Sequence, residues 1–273
     1  GDFISDGDLS LQAEVGDPKD GSRRIGYSAV ITGFSGGVAD RGGIQGAEVK
    51  SQGIVDWKKE CQSIQDVALS AKSREGNLSV TQLTWKKDGA WAWEGGRFSK
   101  GWVAWLIDPW LKPHRWVDGD LVVGAGFWQP SEYGGSGEID VTLMDGRLVE
   151  NRNEPDVSVR LDGNFDFDAR VRGISWKDGS VTFAGFPNSP VLIPSLRVGK
   201  SSVTAQVRGG TLDLRGLLAQ TEAIRNAKPA PAAPPLTEDP WKVDLSLDVA
   251  KIMVEEAEVG PVQVPRFRWG PEG

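Results

Sequence analysis

Cysteine and histidine are almost missing from this 273-residue sequence; each occurs once, as Cys61 and His114. A single cysteine excludes an internal disulfide, and no CxxC or His/Cys cluster offers the spacing a zinc site uses. His114 sits in Lys112-Pro113-His114-Arg115-Trp116 with no G-x-S-x-G elbow elsewhere to serve, so it reads as a loop residue. No catalytic residue, metal ligand or cofactor is assigned. Basic blocks are lacking as well. With 31 Lys+Arg against 38 Asp+Glu the net charge is −7, which argues against nucleic acid as a partner. No apolar run approaches the roughly 20 residues of a spanning helix. Methionine is scarce (2), and runs of strong helix formers are few.

What is present is alternation. Val243, Leu245, Leu247 and Val249 interleave with Asp244, Ser246 and Asp248, so a period of two sorts them onto opposite faces. The same pattern recurs at Leu9–Val15, Val67–Ala71, Ile139–Leu143, Val157–Leu161, Phe165–Val171 and Val203–Val207. One wet and one dry face is the antiparallel signature. Asp-Gly pairs ending at Gly7, Gly21, Gly89, Gly119, Gly146, Gly163 and Gly179 are expected to be hairpin turns. Leu83-Thr84-Trp85-Lys86-Lys87-Asp88-Gly89 is echoed by Ile174-Ser175-Trp176-Lys177-Asp178-Gly179. Short helices are expected at about Ser99–Leu111 and Asp213–Asn226. Residues 227–240 form a Pro-rich excursion, followed by one last strand pair opening at Trp241. The expected fold is mainly β: an antiparallel meander, strongly curved (U-shaped) or sandwich-like, with one or two short helices. Residues 1–273 are read as a single elongated β domain. The start at Gly1-Asp2-Phe3, already strand-like, leads to the expectation that it is a segment of a longer protein.

Gly137-Glu138-Ile139-Asp140, with Phe127-Trp128 upstream, resembles the active-site strand of laminarinase-type β-jelly-roll glycoside hydrolases. A retaining mechanism needs two carboxyls about 5–5.5 Å apart. The strand continues Val141-Thr142-Leu143, so the positions of that family's second Glu are not acidic here. A carbohydrate-binding relative with Glu138 and Asp140 in its cleft is the alternative reading. Twelve tryptophans also need an account; core and edge packing is the expectation for most, with Trp102–Trp116 the exception.

The C-terminal third resembles the AsmA-like family of Gram-negative envelope proteins, whose larger relatives include TamB and YhdP, most clearly over residues 200–270. The residues that carry it are Gly210-Thr211-Leu212-Asp213-Leu214-Arg215-Gly216-Leu217-Leu218, the Pro-rich excursion, Trp241 to Ala250, Ile252, Val254, and Val259-Gly260-Pro261-Val262. The resemblance implies a sheet whose concave apolar face holds the acyl chains of a phospholipid or other acyl lipid. On that reading the groove is lined by Leu69, Val80, Val141, Val159, Phe165, Phe167, Phe183, Val243, Leu245 and Leu247. It further implies a non-enzymatic role in lipid transport and outer-membrane biogenesis, in the periplasm. The parent would be anchored in the inner membrane by a segment outside this chain and would meet other envelope proteins.

Overall fold

The alternating segments become strands because β-branched and aromatic residues pack well on a pleated surface with one side dry. The computed structural model describes residues 3–16, 21–38, 43–107, 116–147, 156–170, 173–226 and 242–270. It is 75% strand and 6% helix: a large, curved, mostly antiparallel sheet with two short helices. His114, Trp110, Val171, Trp241 and the Pro-rich segment lie outside the described residues.

The chain divides into two units, Gly1–Gln129 and Pro130–Gly273. In the first, β1 (Phe3–Val15), β2 (Arg23–Val38), β3 (Gly43–Lys58), β4 (Glu60–Ser73) and β5 (Gly76–Lys86) form an antiparallel meander. β5 then pairs with both β6 (Trp91–Trp93) and β7 (Gly95–Phe98). Helix α1 (Lys100–Ile107) follows, then β8 (Asp118–Val123) beside β7 and β9 (Gly126–Ser131) beside β6. Ser99 carbonyl accepts the first helical bonds, from Trp102 N (2.9 Å) and Val103 N (3.0 Å).

The second unit holds a meander of its own, β10 (Gly134–Arg147), β11 (Val157–Asp168), β12 (Gly173–Phe183), β13 (Val191–Val198) and β14 (Ser202–Arg208). Here the expected antiparallel order breaks. After β15 (Thr211–Asp213) and helix α2 (Arg215–Asn226), the chain returns as β16 (Lys242–Val249), parallel to β14. A crossover containing a helix is what a parallel pair requires. The end of the chain is also richer than one strand pair. β17 (Lys251–Val254) and β18 (Ala257–Val259) join β15 in a separate three-stranded sheet before β19 (Val262–Trp269) pairs with β16.

The Asp-Gly expectation is corrected at most positions. Gly21 and Gly89 do lie in turns, but Gly7, Gly119, Gly146, Gly163 and Gly179 lie within strands. Four of these five sit where the register slips: opposite Gly33-Phe34, after Leu143, and at the facing pair Gly163/Asp178-Gly179. Asp145-Gly146 and Asp178-Gly179 form β-bulges, in which the Asp takes the positive φ of a turn (55° and 51°) but bends the strand instead of ending it, while Gly7 and Gly163 face bulges on the neighbouring strand. Val157–Leu161 and Phe165–Phe167 are therefore one strand. The two echoed segments also differ: Asp88-Gly89 turns a hairpin, whereas Asp178 (φ 51) bulges mid-strand.

Most bulges coincide with a change in the phase of the sequence. In β12 the apolar residues are Ile174 and Trp176 before Asp178, then Val181 and Phe183 after it. In β5 they are Leu78 and Val80 before Gln82 (φ 51), then Leu83 and Trp85. The extra residue would turn the rest of the strand over. The phase change restores it, so the dry face stays on one side.

At the β11/β12 bulge Trp176 lies across two glycines, its Nε1 donating to the Asp162 carbonyl (3.2 Å). A Cβ at Gly163, whose φ is +144, would overlap that indole nitrogen. Gly163→Ala is therefore expected to cost about 2–4 kcal/mol through overpacking and backbone strain. Gly26→Ala, with nothing within 4 Å of its Cβ and ordinary φ, should stay within about 0.5 kcal/mol. Urea unfolding of the two variants measures the difference.

Candidate functional site

Cross-strand partners share a face of a sheet, so the register assigns every strand residue to a side. In the second unit one side carries Ile139, Val141 and Leu143 on β10, opposite Gly163, Leu161 and Val159 on β11, with Phe165 next along the same side. It continues through Trp176, Phe183, Leu196, Ala205, Leu245 and Phe267 on the strands that follow. Seven strands thus contribute to one apolar face. The first unit does the same, from Leu9 and Leu11 through Ile31, Val49, Leu69 and Val80 to Phe98. All ten residues expected to line a groove lie on these faces: Leu69 and Val80, direct partners, in the first unit and the other eight in the second.

The opposite sides are wet. Arg160 grips Asp140 with two bonds (2.9 and 2.8 Å), Lys177 reaches Asp166 (3.1 Å), and Arg266 Nε donates to Asp244 (3.0 Å). In the first unit Asp56 accepts from Ser63 (3.0 Å) and Gln65 (2.9 Å), and Arg97 pairs with Asp120 (2.9 Å). Exposed pairs of this kind contribute little energy, but they keep the polar side in water.

Glu138 and Asp140 fall on this wet side. The structure supplies a carboxylate the linear sequence did not suggest, since Asp162 stands directly opposite Asp140 on β11. It accepts from Ser180 Oγ (2.8 Å), while Asp140 is held by Arg160, so both are engaged in cross-strand pairing. A shallow depression of about 420 Å³ on the wet side of β1–β4 is lined by Gln12, Glu14, Ser28, Gln52 and Asp66 among others. Among the described residues no group of three or more His, Cys, Asp or Glu is placed to hold a metal.

Burial along the apolar faces is uneven, and helices explain it. In the first unit α1 lies over one end: Trp102 is buried with Ile44, Ala47, Ala71 and Leu78, and its ring stacks on Phe34 at 6.5 Å. Trp102 Nε1 donates to the Gly76 carbonyl (3.2 Å), so the buried indole is satisfied. In the second unit β15, α2 and the β17–β18 hairpin gather at one end. Gly216 of α2 lies against Val157, and Ser189 and Thr211 share a hydroxyl bond (3.0 Å). There Phe183, Val191 and Val249 are buried, at 6%, 1% and 1% exposure. Among the described residues nothing comparable covers the other end of the sheet. Phe167, Ile174, Phe267 and Trp269 are 39–59% exposed, and most aliphatics between are half-buried. A closed sandwich would bury inward residues of its central strands.

No protein-family model, curated protein or solved structure matches the chain. The site therefore stands on its geometry.

The residues missed by sequence reading are those beyond a phase change, such as Ile174, Phe267 and Trp269. A second class is the tryptophans that meet only across strands: Trp85 faces Trp91 (6.5 Å between rings), which in turn faces Trp128.

The closed end of the second unit depends on Asp213, which accepts from Arg215 N (3.2 Å), Nε (2.9 Å) and Nη2 (2.7 Å) where α2 begins. Hydrogen bonding from Arg215 holds its carboxyl below the usual range, against the opposing effect of burial. A depressed pKa stabilises the fold above the unfolded value and loses that contribution as pH falls through the folded one. Asp213→Asn should therefore be less stable than the parent at pH 7, with the gap narrowing as pH falls below about 4. Urea midpoints at both pH values check this.

Proposed function

We propose that this chain binds acyl lipids along its apolar faces, as part of an AsmA-like protein that carries lipid across the bacterial envelope. The observation that carries the reading is the seven-strand apolar face of the second unit, covered at one end and accessible at the other. A contiguous apolar surface of that extent is unusual on a protein that works in water, and marks a surface with a partner. Acyl chains suit it because they ask for area and no directed polar contacts. Each CH₂ withdrawn from water gives about 0.8 kcal/mol, so tails alone provide the affinity. A single chain binds marginally, which favours two-chain lipids such as phospholipids.

The resemblance over residues 200–270 supplies the setting: the periplasm, an inner-membrane anchor elsewhere in the parent protein, and other envelope proteins as partners. No catalysis is needed, since moving a lipid along an apolar surface breaks no bond.

A photo-reactive residue at Leu245 or Phe167 is expected to crosslink to phospholipid in the native host. Phe167→Asp and Ile174→Asp, at exposed positions where the fold tolerates a charge, should weaken phospholipid binding at least tenfold, about 1.4 kcal/mol each. Undiminished binding in both variants, or no lipid crosslink at either position, would overturn the reading.

A further inference from the structure

Among the described residues β1 pairs only with β2, and β19 only with β16, so each strand keeps a free edge. A free edge offers unpaired N–H and C=O groups to any strand that reaches it, and proteins blunt such edges with Lys or Pro. From Asp8 to Val15, β1 carries no basic residue and no proline. The four most exposed large hydrophobic residues of the described chain also stand on these two strands. They are Leu9, Leu11 and Val15 on β1 and Trp269 on β19, at 59–65% exposure.

The sequence of β1 shows what its edge accepts. It holds Asp8-Leu9-Ser10-Leu11, and β16 holds the same four residues as Asp244-Leu245-Ser246-Leu247. In β16 they are covered by β19, antiparallel, with Asp244 opposite Arg268, Leu245 opposite Phe267 and Leu247 opposite Val264. Arg266 and Arg268 both donate to the Asp244 carboxylate through Nε, at 3.0 and 3.3 Å. Two guanidiniums thus share one carboxylate, which leaves a net positive charge at this point of the edge. Asp8 is exposed and, among the described residues, in no ion pair. Pro265 has no N–H to give, but it falls in the β19 bulge, where the ladder is interrupted already.

We propose that β1 of one copy of this chain pairs antiparallel with the free edge of β19 of another, Asp8 opposite Arg268 and Leu9 opposite Phe267. Arg266 and Arg268 then lie between two aspartates, and Leu9 gains the aromatic neighbour that Leu245 already has. Charge selects this pairing over β1 with β1, in which Asp8 and Glu14 would meet no base. Each copy has one edge of each kind, so the contact is heterologous and builds rings or chains of copies, not a two-fold dimer. Lipid is not required for it.

Sedimentation velocity of the 273-residue chain over a concentration series tests the association. Species larger than a dimer are expected to grow with concentration. Asp8→Lys and Leu11→Lys, both at exposed edge positions, should weaken assembly at least tenfold while the circular dichroism of the monomer is kept. The partner edge is identified in a Cys61→Ser background by mixing a tagged Leu9→Cys copy with an untagged Phe267→Cys copy under mild oxidation. The mixed disulfide should form several-fold faster than either homodimeric one. A chain that stays monomeric throughout, assembly undiminished in both lysine variants, or Leu9→Cys coupling chiefly to itself would each overturn the proposal. None of these results bears on lipid binding.

Discussion

The structure depends on keeping one side of a long pleated sheet dry through repeated interruptions of the pleat. A strand has no freedom to rotate its pattern: one extra residue exchanges its faces completely. This chain carries such residues in β2, β3, β4, β5, β10, β12, β13 and β19. Most are matched by a shift in sequence phase, as at Asp66 in β4, where Ile64 precedes it and Val67, Leu69 and Ala71 follow. The bulges bend and twist the strands. The phase shifts ensure that bending never brings Asp or Lys onto the apolar side.

That constraint also explains what the sequence made legible. Strand identity, the wet and dry sides and both helices follow from local pattern, because period two and period 3.6 are local properties. Asp-Gly misled because positive φ serves a bulge as well as a turn, and only pairing with a neighbouring strand distinguishes them. The evidence was present in β12 all the same: a turn at Asp178-Gly179 does not require the apolar positions to change from even to odd, and a mid-strand bulge does. The parallel return of β16 to β14 was hidden because it depends on where α2 packs. So was the tryptophan row, since Trp85, Trp91 and Trp128 come together only when β6 is inserted between β5 and β9.

The candidate site follows the same division. All ten proposed groove residues share the apolar faces because alternation alone sorts them. Which end is closed is a tertiary fact, fixed by Trp102 of α1 and by the Asp213–Arg215 bonds that begin α2. On the wet side, Asp140 and Asp162 are brought together by register and then tied into cross-strand bonds with Arg160 and Ser180. A surface that needs only to be dry and reachable is present in both units.

The central claim is that the apolar face has an acyl lipid as its natural occupant. Native mass spectrometry of the protein, gently extracted from its native host, tests it most directly. The account predicts adducts of phospholipid mass that disappear in Phe167→Asp and Ile174→Asp while the folded charge-state distribution is kept. A bare protein mass for the parent chain, folded and without adducts, would contradict it.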